Sequence, residues 1–372
     1  MDNAGSTPKA ETRTWVLQAE TELRFDVSAD QTLTVVLKQN TAEIFGIELA
    51  ADYEYRFSGA KAAVFTWYGC TLETKGWASS IYVAQETPMR SYVNTHAQLE
   101  ARRDKALQAL QAGHTNVTGP RVMVVGESDS GKSSLANILA AYAVRLGRCP
   151  TFVDLDVGQG MITVPGGVAA AALDSNSISI EEGFSLTAPL VFFYGHTSLQ
   201  ENPELYKKLV DRMAECISRR VSNDIDASAS GVIFNTCGWV DGLGFELLLH
   251  AITALAVDVV LVMKHDRLYS DMVGNLPRST AVINLPKSGG EPRISVVRSA
   301  QLRPGGLSSD TATRRDDAWG RIGIGRGRGV IRSGAGFPRK QRVKPPPRSH
   351  QPSSQPAPYP PYIQGGGTMW QR

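Results

Sequence analysis

The sequence predicts an all-β sandwich, then an α/β domain with helices covering a parallel sheet, and finally a disordered tail. Short runs of β-branched and aromatic residues, separated by turn signals, fill residues 14–95 and are typical of a small sandwich. Between residues 120 and 300, apolar runs alternate with helical patterns, as in a parallel sheet covered on both faces. Residues 301–372 hold 10 of the 20 prolines and 12 of the 35 glycines, so they cannot bury enough apolar surface to fold. We expect residues 1–13 to be disordered as well, and residues 96–119 to hold a linking helix.

The sandwich is predicted from short segments with the period of a strand. Apolar and polar residues alternate in the segment ELRFDV, as they do along a half-buried strand. Turn signals such as Ala29–Asp30 and Ser58–Gly59 separate the segments. The predicted strands are Glu22–Val27, Leu33–Leu37, Tyr53–Phe57, Ala62–Tyr68 and Ile81–Val83.

The linking helix and the α/β domain follow. Leu99, Ala106 and Leu110 recur at roughly helical spacing, which predicts a helix over Thr95–Gly113. The apolar run Val122–Val125 is too short for a helix and is predicted as a strand. The remaining predicted strands are Thr151–Leu155, Leu190–Phe193, Gly231–Phe234, Val257–Met263 and Thr280–Leu285, and the remaining predicted helices are 132–146, Glu204–Arg219, Phe245–Leu255 and Asp266–Gly274.

The charge of the chain is divided unevenly. Residues 301–372 carry 13 Lys and Arg against 3 Asp and Glu, whereas residues 1–300 carry 26 against 33. A basic tail of this kind is expected to bind RNA nonspecifically, with an affinity that falls as salt rises. The start of the chain has no apolar signal-peptide core, and the longest apolar stretch, 251–263, is too short to span a bilayer, so we expect no membrane partner. The four cysteines show neither zinc-ligand spacing nor a disulfide framework.

A phosphate-binding motif follows the first strand of the α/β domain. Residues 126–133 read GESDSGKS and match G-x-x-x-x-G-K-[ST], between an apolar strand and a helix. The loop N–H groups and the helix N-terminus would surround nucleotide phosphates. Lys132 would supply a charge for the β- and γ-phosphates, and the Ser133 hydroxyl would ligate Mg²⁺. The motif in this context predicts an α/β P-loop NTPase fold. The expected nucleotide-binding residues of this loop are Gly126, Asp129, Ser130, Gly131, Lys132, Ser133 and Ser134.

Two aspartates accompany the next predicted strand. Asp156 lies 24 residues after Lys132, at the carboxyl end of that strand, which is the edge where ligands bind in open parallel sheets. A carboxylate there could hold Mg²⁺ or accept a proton from an attacking hydroxyl. Asp154 is two residues earlier on the same face, so the two side chains compete for this role. An aspartate that only caps the turn is the alternative interpretation.

Two further side chains are candidates at the same edge. Trp239 follows the strand Gly231–Phe234 and could stack on a nucleic-acid base, although a tryptophan is more often part of a core. His196 follows the strand Leu190–Phe193 and could also reach the cleft, with a surface histidine as the alternative.

The segment Met263–Asp266 contains the K-x-D spacing that reads guanine in GTPases. Met263 stands where that motif needs Asn or Thr. Gln159 stands where a D-x-x-G switch beginning at Asp156 would need Gly. Both departures disfavour a GTPase, so we expect the chain to bind ATP with Mg²⁺ and to prefer ATP to GTP.

Taken together and in order, these segments resemble the Clp family, the polynucleotide 5′-hydroxyl kinase subunit of the eukaryotic pre-mRNA cleavage complex. In fungi this subunit is part of cleavage factor IA. The resemblance covers roughly residues 14–290. Its motifs are Glu20–Phe25, Gly59–Lys61, Ala63–Trp67, Gly126–Ser133, Leu155–Gly160, Glu181–Phe184, Ala188–Leu190, Asn235–Val240 and Leu285–Gly290.

The resemblance implies residue roles beyond those that spacing indicates. Glu22 and Lys61 match positions that contact the nucleotide, because the family's β domain helps hold adenine; from the residues alone, both are expected to be surface charges. Asp156 matches the catalytic aspartate of the kinase members. Trp239 matches the aromatic residue that stacks on the RNA end, and Gln159 is a candidate polar contact to that RNA.

The resemblance also implies the cellular role. It indicates an ATP-binding subunit of the pre-mRNA 3′-end cleavage and polyadenylation machinery, which is joined to that complex through a large scaffold subunit in the nucleus. Kinase-active members phosphorylate RNA 5′-hydroxyls and are also associated with tRNA splicing, whereas some fungal members bind ATP without detectable transfer. Two hypotheses therefore remain, an ATP-binding subunit whose nucleotide is largely structural and an active RNA kinase. The intact P-loop argues against a third, a scaffold with a decayed nucleotide site.

The sequence departs from the family pattern after Gly290. The family continues into an arginine-bearing lid helix and a folded C-terminal domain, neither of which this sequence matches. Arg293 and Arg298 are candidates to replace the lid arginines. Arginines that contact a transferring phosphoryl group contribute about 10³–10⁵ in rate. Loss of the lid would therefore reduce phosphate transfer far more than ATP binding.

Overall fold

The computed structural model describes residues 11–115, 117–181, 183, 184 and 188–287, together with the backbone of residues 295 and 296. The predicted tail, 301–372, and the candidate lid residues Arg293 and Arg298 lie outside this part of the chain. Within it, no helix is long and apolar enough to cross a membrane.

Two antiparallel sheets form the predicted sandwich. Their strand orders are β1-β8-β3-β6 and β5-β4-β7-β2-β9. Inward-facing side chains such as Leu23, Phe25, Val35 and Leu72 form a buried core. Apolar burial of this kind stabilises the face-to-face packing of two sheets. The strands are β1 (Thr12–Leu17), β2 (Thr21–Val27), β3 (Leu33–Asn40), β4 (Glu43–Ile44), β5 (Ile47–Glu48), β6 (Glu54–Phe57), β7 (Ala60–Thr66), β8 (Cys70–Gly76) and β9 (Ser80–Ala84).

Strand β1 begins inside the segment 1–13 that composition predicts to be disordered. Thr12 and Arg13 pair with β8, opposite Lys75 and Thr74. The Arg13 guanidinium lies 3.9 Å from the centroid of the Trp15 ring. A polar segment is thus ordered by backbone pairing and by one cation–π contact, neither of which composition reveals.

Helix α1 (Met89–Gln111) begins earlier than the predicted Thr95–Gly113. The Thr87 hydroxyl accepts a hydrogen bond of 3.3 Å from the Met89 N–H, at the start of the helix. Met89 and Tyr92 in its first turn pack into the core of the α/β domain. Tertiary contacts therefore extend the helix beyond the part that shows apolar spacing.

One eight-stranded sheet organises the α/β domain, in the order β15-β12-β11-β16-β10-β17-β18-β19. The five strands from β11 to β18 are parallel, which confirms the predicted parallel sheet at the centre. The flanking strands β12, β15 and β19 are antiparallel to their neighbours. The elements are β10 (Arg121–Val125), α2 (Lys132–Arg145), β11 (Thr151–Asp154), β12 (Gly167–Ala172), β13 (Ile178–Ser179), β14 (Gly183–Phe184), β15 (Leu190–Phe193), α3 (Pro203–Asn223), α4 (Ile225–Ser230), β16 (Val232–Asn235), α5 (Leu243–Ala254), β17 (Val259–Met263), α6 (Asp266–Asn275), β18 (Ala281–Leu285) and β19 (Ser295–Val296).

Both faces of this sheet are buried. Along β10, Val122 and Val124 belong to the core shared with α1 and α2, while Met123 and Val125 belong to the core shared with α3, α5 and α6. This alternation between two apolar layers confirms the prediction of a sheet covered by helices on each side.

The sandwich rests on α2, the helix that follows the P-loop. The Tyr142 hydroxyl donates to the Glu43 carboxylate, which also accepts a hydrogen bond of 3.1 Å from Arg145. Arg145 donates in addition to the Gly46 carbonyl, at 3.1 Å. Burial raises the pKa of Glu43, and the hydrogen bond from Tyr142 and the charge of Arg145 oppose that shift. These contacts hold the β domain against the nucleotide-binding helix.

Candidate active site

The P-loop, residues 126–131, is held by close backbone packing. Gly131 has a φ of +90°, a conformation that side chains disfavour. Gly238, in the loop after β16, approaches so closely that an added Cβ would lie 2.4 Å from the Ser128 nitrogen. The backbone of the loop after β16 therefore packs directly against the backbone of the P-loop.

Lys132 begins α2 and is only 6% exposed. Its Nζ donates a hydrogen bond of 2.7 Å to the Glu127 carbonyl of the P-loop. Burial lowers the pKa of Lys132, and the nearby charge of Asp156 raises it. The Lys132 ammonium is buried, and nearby negative charge neutralises it only in part. Such a group is suited to bind the phosphates of a nucleotide.

A cavity of about 830 Å³ opens at the carboxyl edge of the sheet and brings most predicted site residues together. It forms the phosphate end of the site. The loop 197–200 also lines this cavity, and no motif in the sequence indicates it. The predicted residues that line the phosphate end are Lys61, Asp129, Gly131, Lys132, Ser133, Ser134, Asp156, Gln159 and Trp239.

A second cavity of about 400 Å³ lies between the sandwich and α2 and forms the base end of the site. Tyr82, Met89 and Tyr92 supply apolar surface to it. The two cavities share lining residues in the P-loop, so they adjoin. A largely apolar cleft with a few polar groups is typical of a site for a nucleobase. The predicted residues that line the base end are Glu22, Lys61, Asp129, Ser130, Gly131 and Ser134.

Glu22 and Lys61 differ in their surroundings. Glu22 is 4% exposed, so the expectation of a surface charge, drawn from the residues alone, is wrong for it. Arg24 Nε donates to one carboxylate oxygen of Glu22 at 2.8 Å, and the Thr87 hydroxyl donates to the other. Lys61 is exposed and pairs with Asp26 at 3.0 Å. The structure therefore fixes Glu22 at the wall of the base end and leaves Lys61 near solvent.

Asp156, at the start of the loop after β11, lines the phosphate end. Its Oδ1 accepts hydrogen bonds from the backbone N–H groups of Gly158, at 2.9 Å, and Gln159, at 3.1 Å. Within the described residues, no donor contacts its Oδ2. That oxygen is available to a ligand in the cavity.

Asp154 is turned into the protein and is 2% exposed. Its carboxylate accepts hydrogen bonds from the Asp156 N–H at 3.1 Å, from Asn235 Nδ2 at 3.1 Å and from the Met161 N–H. Burial raises the pKa of Asp154 to about 6, while these donors lower it. The two aspartates therefore do not compete for one role, because only Asp156 reaches the cavity.

The oxygen donors of the phosphate end fit Mg²⁺. The Ser133 hydroxyl and the Asp156 carboxylate line the same cavity. Among the described residues, no group of three or more His, Cys, Asp or Glu is placed to hold a metal ion. Mg²⁺ is usually held by one or two protein oxygens together with substrate phosphates and water, so this sparse donor set suits Mg²⁺ that arrives with a nucleotide. The buried Ser130 hydroxyl has no hydrogen-bond partner in the described chain, which also fits a polar ligand beside the P-loop.

Of the two further candidates at this edge, Trp239 lines the cavity and His196 does not. Trp239 packs partly against the core of the α/β domain and also lines the cavity, so it serves both interpretations. A Cβ on Gly244 would lie 2.6 Å from the Trp239 ring, so glycine at that position lets the indole approach α5. His196 is exposed, packs its ring near Tyr194 at 5.6 Å and does not line the cavity.

The K-x-D segment supports the P-loop and does not reach the base end. His265 Nδ1 accepts a hydrogen bond of 2.9 Å from the Leu268 N–H and caps α6. Its Nε2 lies 3.0 Å from the Glu127 carboxylate of the P-loop. Asp266 accepts a hydrogen bond of 2.8 Å from Asn284. Neither His265 nor Asp266 lines either cavity, in keeping with the prediction that this segment does not read guanine.

Two family models match this chain. The model described as "mRNA cleavage and polyadenylation factor CLP1 P-loop" matches residues 126–304. The model described as "N-terminal beta-sandwich domain of polyadenylation factor" matches residues 16–106.

Individual relatives agree with these matches. The polyribonucleotide 5′-hydroxyl-kinase Clp1 of Gallus gallus is 45% identical over 291 residues, which are 78% of this chain and 67% of that protein. Its counterpart in Homo sapiens is 44% identical over the same shares. The solved structure of a complex of wild-type Clp1p with Pcf11p is 27% identical, has a TM-score of 0.63, and matches 77% of this chain and 69% of its own. The chain belongs to the Clp1 family, with that family's N-terminal β-sandwich and P-loop domains.

Proposed function

We propose that the protein is an ATP-binding subunit of the pre-mRNA 3′-end cleavage and polyadenylation machinery. The observation that carries this proposal is the continuous site in which a P-loop meets an apolar base cavity at the β domain. The P-loop would hold the triphosphate, while Glu22 and the apolar wall would hold adenine. Binding of radiolabelled ATP to the full chain tests this directly, and no retention at micromolar ATP would contradict it.

The proposed partner is the scaffold subunit of the cleavage factor, through which the chain would join other cleavage and polyadenylation subunits. Two solved relatives support this, because both are complexes of Clp1p with Pcf11p. One of them is described as giving both an extended interface between Pcf11p and Clp1p and the structural basis for ATP loss in a point mutant. Co-purification of this chain with a Pcf11-type scaffold, and a nuclear signal in fluorescence microscopy, are the expected results.

An active RNA 5′-hydroxyl kinase, acting also in tRNA splicing, is the second candidate. The observation that favours it is that Asp156, Gln159 and Trp239 line the same cavity as Lys132. An ATP site that served only to hold the fold would need neither a free carboxylate oxygen nor an aromatic surface beside the phosphates. Relatives in several vertebrates carry the name polyribonucleotide 5′-hydroxyl-kinase.

In that reaction the RNA 5′-hydroxyl attacks the γ-phosphate of ATP, and ADP leaves. Lys132 would neutralise charge on the β- and γ-phosphates. Asp156 would accept the proton of the attacking hydroxyl at Oδ2, while the Gly158 and Gln159 N–H groups hold its Oδ1. Trp239 would stack on the terminal base and Gln159 would contact the RNA. When bound, Mg²⁺ held by the Ser133 hydroxyl, and by Asp156 through water, would stabilise the negative charge of the phosphates.

One assay separates the two candidates. The full chain is incubated with ATP labelled at the γ-phosphate and a 5′-hydroxyl oligoribonucleotide, with a 5′-phosphorylated oligonucleotide as the control. Labelled RNA indicates the kinase. ATP retention without labelled RNA removes the kinase and leaves the ATP-binding subunit.

A further inference from the structure

A chain of buried hydrogen bonds runs from Asp154 to the P-loop. Asn235 lies at the end of β16, opposite Asp154 of β11 in the parallel register, and is fully buried. Its Nδ2 donates to Asp154 Oδ1 at 3.1 Å. Its Oδ1 accepts from the Ser133 hydroxyl at 3.4 Å. Two side chains that do not line the cavity thus connect to one that does.

The chemistry of the three groups fixes the direction of every bond in this chain. An ionised carboxylate can only accept hydrogen bonds, so Asp154 requires the NH₂ group of Asn235 to face it. The amide carbonyl must then face the P-loop, where it can only accept. The Ser133 hydroxyl therefore gives its proton to Asn235, and its lone pairs are left for the cavity.

We propose that Asp154 and Asn235 are positioning residues that orient the Ser133 hydroxyl as a metal ligand. A serine oxygen ligates Mg²⁺ through a lone pair, so a hydroxyl with its proton turned toward the cavity would be a poor ligand. Asp154 also accepts from the Asp156 N–H at 3.1 Å, so the same carboxylate holds the backbone of the proposed base. The inference rests on the proposed nucleotide site, but it does not require that the chain transfers phosphate.

The test measures the gain in ATP affinity that Mg²⁺ produces. Calorimetry of the full chain with ATP is done once with Mg²⁺ and once with EDTA, for the wild type and for the variants Asn235→Ala and Asp154→Asn. Loss of a group that orients a metal ligand lowers metal affinity about 10–100-fold. Both variants should therefore lose about tenfold or more of the Mg²⁺ gain. Their ATP affinity in EDTA should stay close to that of the wild type, because neither side chain lines the cavity.

The matched control is Thr236→Val. Thr236 is the next residue, is equally buried, and donates its hydroxyl to the Val124 carbonyl at 2.8 Å, away from Ser133. This variant removes a buried hydrogen bond at the same strand end and should keep the Mg²⁺ gain. If Thr236→Val lost the gain to the same extent, the effect would be one of general packing and the proposal would fail.

The reciprocal double variant, Asp154→Asn with Asn235→Asp, provides a rescue. It exchanges the groups, so that the amide at position 154 donates to the carboxylate at position 235, which still accepts from Ser133. The double variant should recover most of the Mg²⁺ gain that Asp154→Asn and Asn235→Asp each lose when made alone. Purely structural damage predicts that the two effects add. A double variant with a native-like melting curve and no recovery would overturn the proposal, as would full Mg²⁺ gain in both single variants.

This outcome is distinguishable from failure of the kinase hypothesis. A chain that transfers no phosphate to RNA but shows the expected pattern of Mg²⁺ gain would retain the positioning role and lose the activity. A chain that transfers phosphate with equal Mg²⁺ gain in all variants would retain the activity and lose the positioning role.

Discussion

The two ends of the nucleotide site are built in different ways. At the phosphate end, one continuous loop and the helix that follows it supply most of the polar groups, and two neighbouring strand ends add Asp156 and Trp239. At the base end, the lining comes from segments far apart in the chain, including Glu22 in β2, Tyr82 in β9 and Met89 in α1. The first is a local arrangement of backbone, and the second is an assembly of side chains across a domain interface.

This difference decides what each end can do. A phosphate is recognised by backbone N–H groups and a lysine. Any chain that contains a P-loop can present these groups. A base is recognised by the shape and hydrogen-bonding pattern of a cavity, which here exists only while the sandwich rests on α2. We therefore expect changes at the phosphate end to affect binding of any nucleoside triphosphate, and changes at the base end to affect selection among them.

The largest effect is expected from Asp156→Asn at the phosphate end. The amide keeps an acceptor for the Gly158 and Gln159 N–H groups but cannot take a proton from RNA. If the chain is a kinase, loss of a general base lowers phosphate transfer about 10²–10⁴-fold. Single-turnover transfer from labelled ATP measures this, with exposed Asp241→Asn on the neighbouring loop as the control. Transfer at the wild-type rate would remove Asp156 from the mechanism.

Lys132→Ala tests the same end through binding. The substitution removes a charge-assisted hydrogen bond to the phosphates, which corresponds to about a 100-fold loss of affinity. ATP and GTP should weaken together, because the lysine contacts no base. Titration with a fluorescent triphosphate measures both, with exposed Lys208→Ala in α3 as the control. Unchanged affinity in a folded Lys132→Ala protein would contradict the P-loop assignment.

The contrast between the two ends also explains which site residues can be predicted from the sequence and which cannot. The P-loop residues and Asp156 follow from local motifs, because one turn of backbone sets their geometry. Glu22 and Lys61 are indicated only by the family resemblance, since no local pattern shows that β2 and β7 face α2. Tyr82 and Tyr92 carry no sequence signal at all, because their role depends on how two domains pack.

The secondary structure is likewise predicted where the local sequence determines it and missed where tertiary pairing does. The bounds of the parallel strands are predicted to within about two residues, and so are those of the antiparallel strand Leu190–Phe193. A short apolar run between two helical patterns fits a buried strand and few other structures. Strand β12 is not predicted, because its sequence GVAAAA has little β-propensity and is placed by antiparallel pairing with β11. Strand β8 is not predicted either, since its polar residues are ordered by β1 and β3 on either side.

His96 tests the packing of α1 on α2, two helices that both line the base end. It is buried, and its ring lies 5.3 Å from the ring of Tyr142 in α2. Burial, together with the charges of Arg103 and Arg145, lowers the pKa of His96 to about 3. The unfolded chain binds a proton near pH 6.5 and the folded chain does not, so stability falls as pH drops below that value.

The lowered pKa of His96 also sets the size of the expected loss in the free energy of unfolding. Between pH 7 and pH 5, the wild type should lose about 2 kcal/mol more stability than His96→Phe, which keeps a ring but cannot titrate. Urea unfolding at the two pH values measures the difference. His114→Asn, at an exposed position, should keep the wild-type dependence. An equal loss in His96→Phe and the wild type would show that the folded protein accommodates a charged histidine at this interface.

The smallest effect is expected at the wall of the base end, from Glu22→Gln. The Glu22 carboxylate only accepts hydrogen bonds, so it suits the amino group of adenine and opposes the carbonyl oxygen of guanine. Arg24 and Thr87 hold both of its oxygens, which keeps the side chain from turning away. A glutamine can present either an acceptor or a donor, so the preference for ATP over GTP should fall about tenfold.

Competition between ATP and GTP for a fluorescent triphosphate measures this preference. Glu20→Gln is the matched control, because Glu20 lies just before β2, pairs with Arg90 and does not line the cavity. Affinity for the triphosphate itself should change little in either variant, since the P-loop is intact. If Glu22→Gln instead weakened ATP and GTP equally, Glu22 would act on the packing of the interface. The base end would then contribute affinity without selectivity, and the functional contrast between the two ends would be lost.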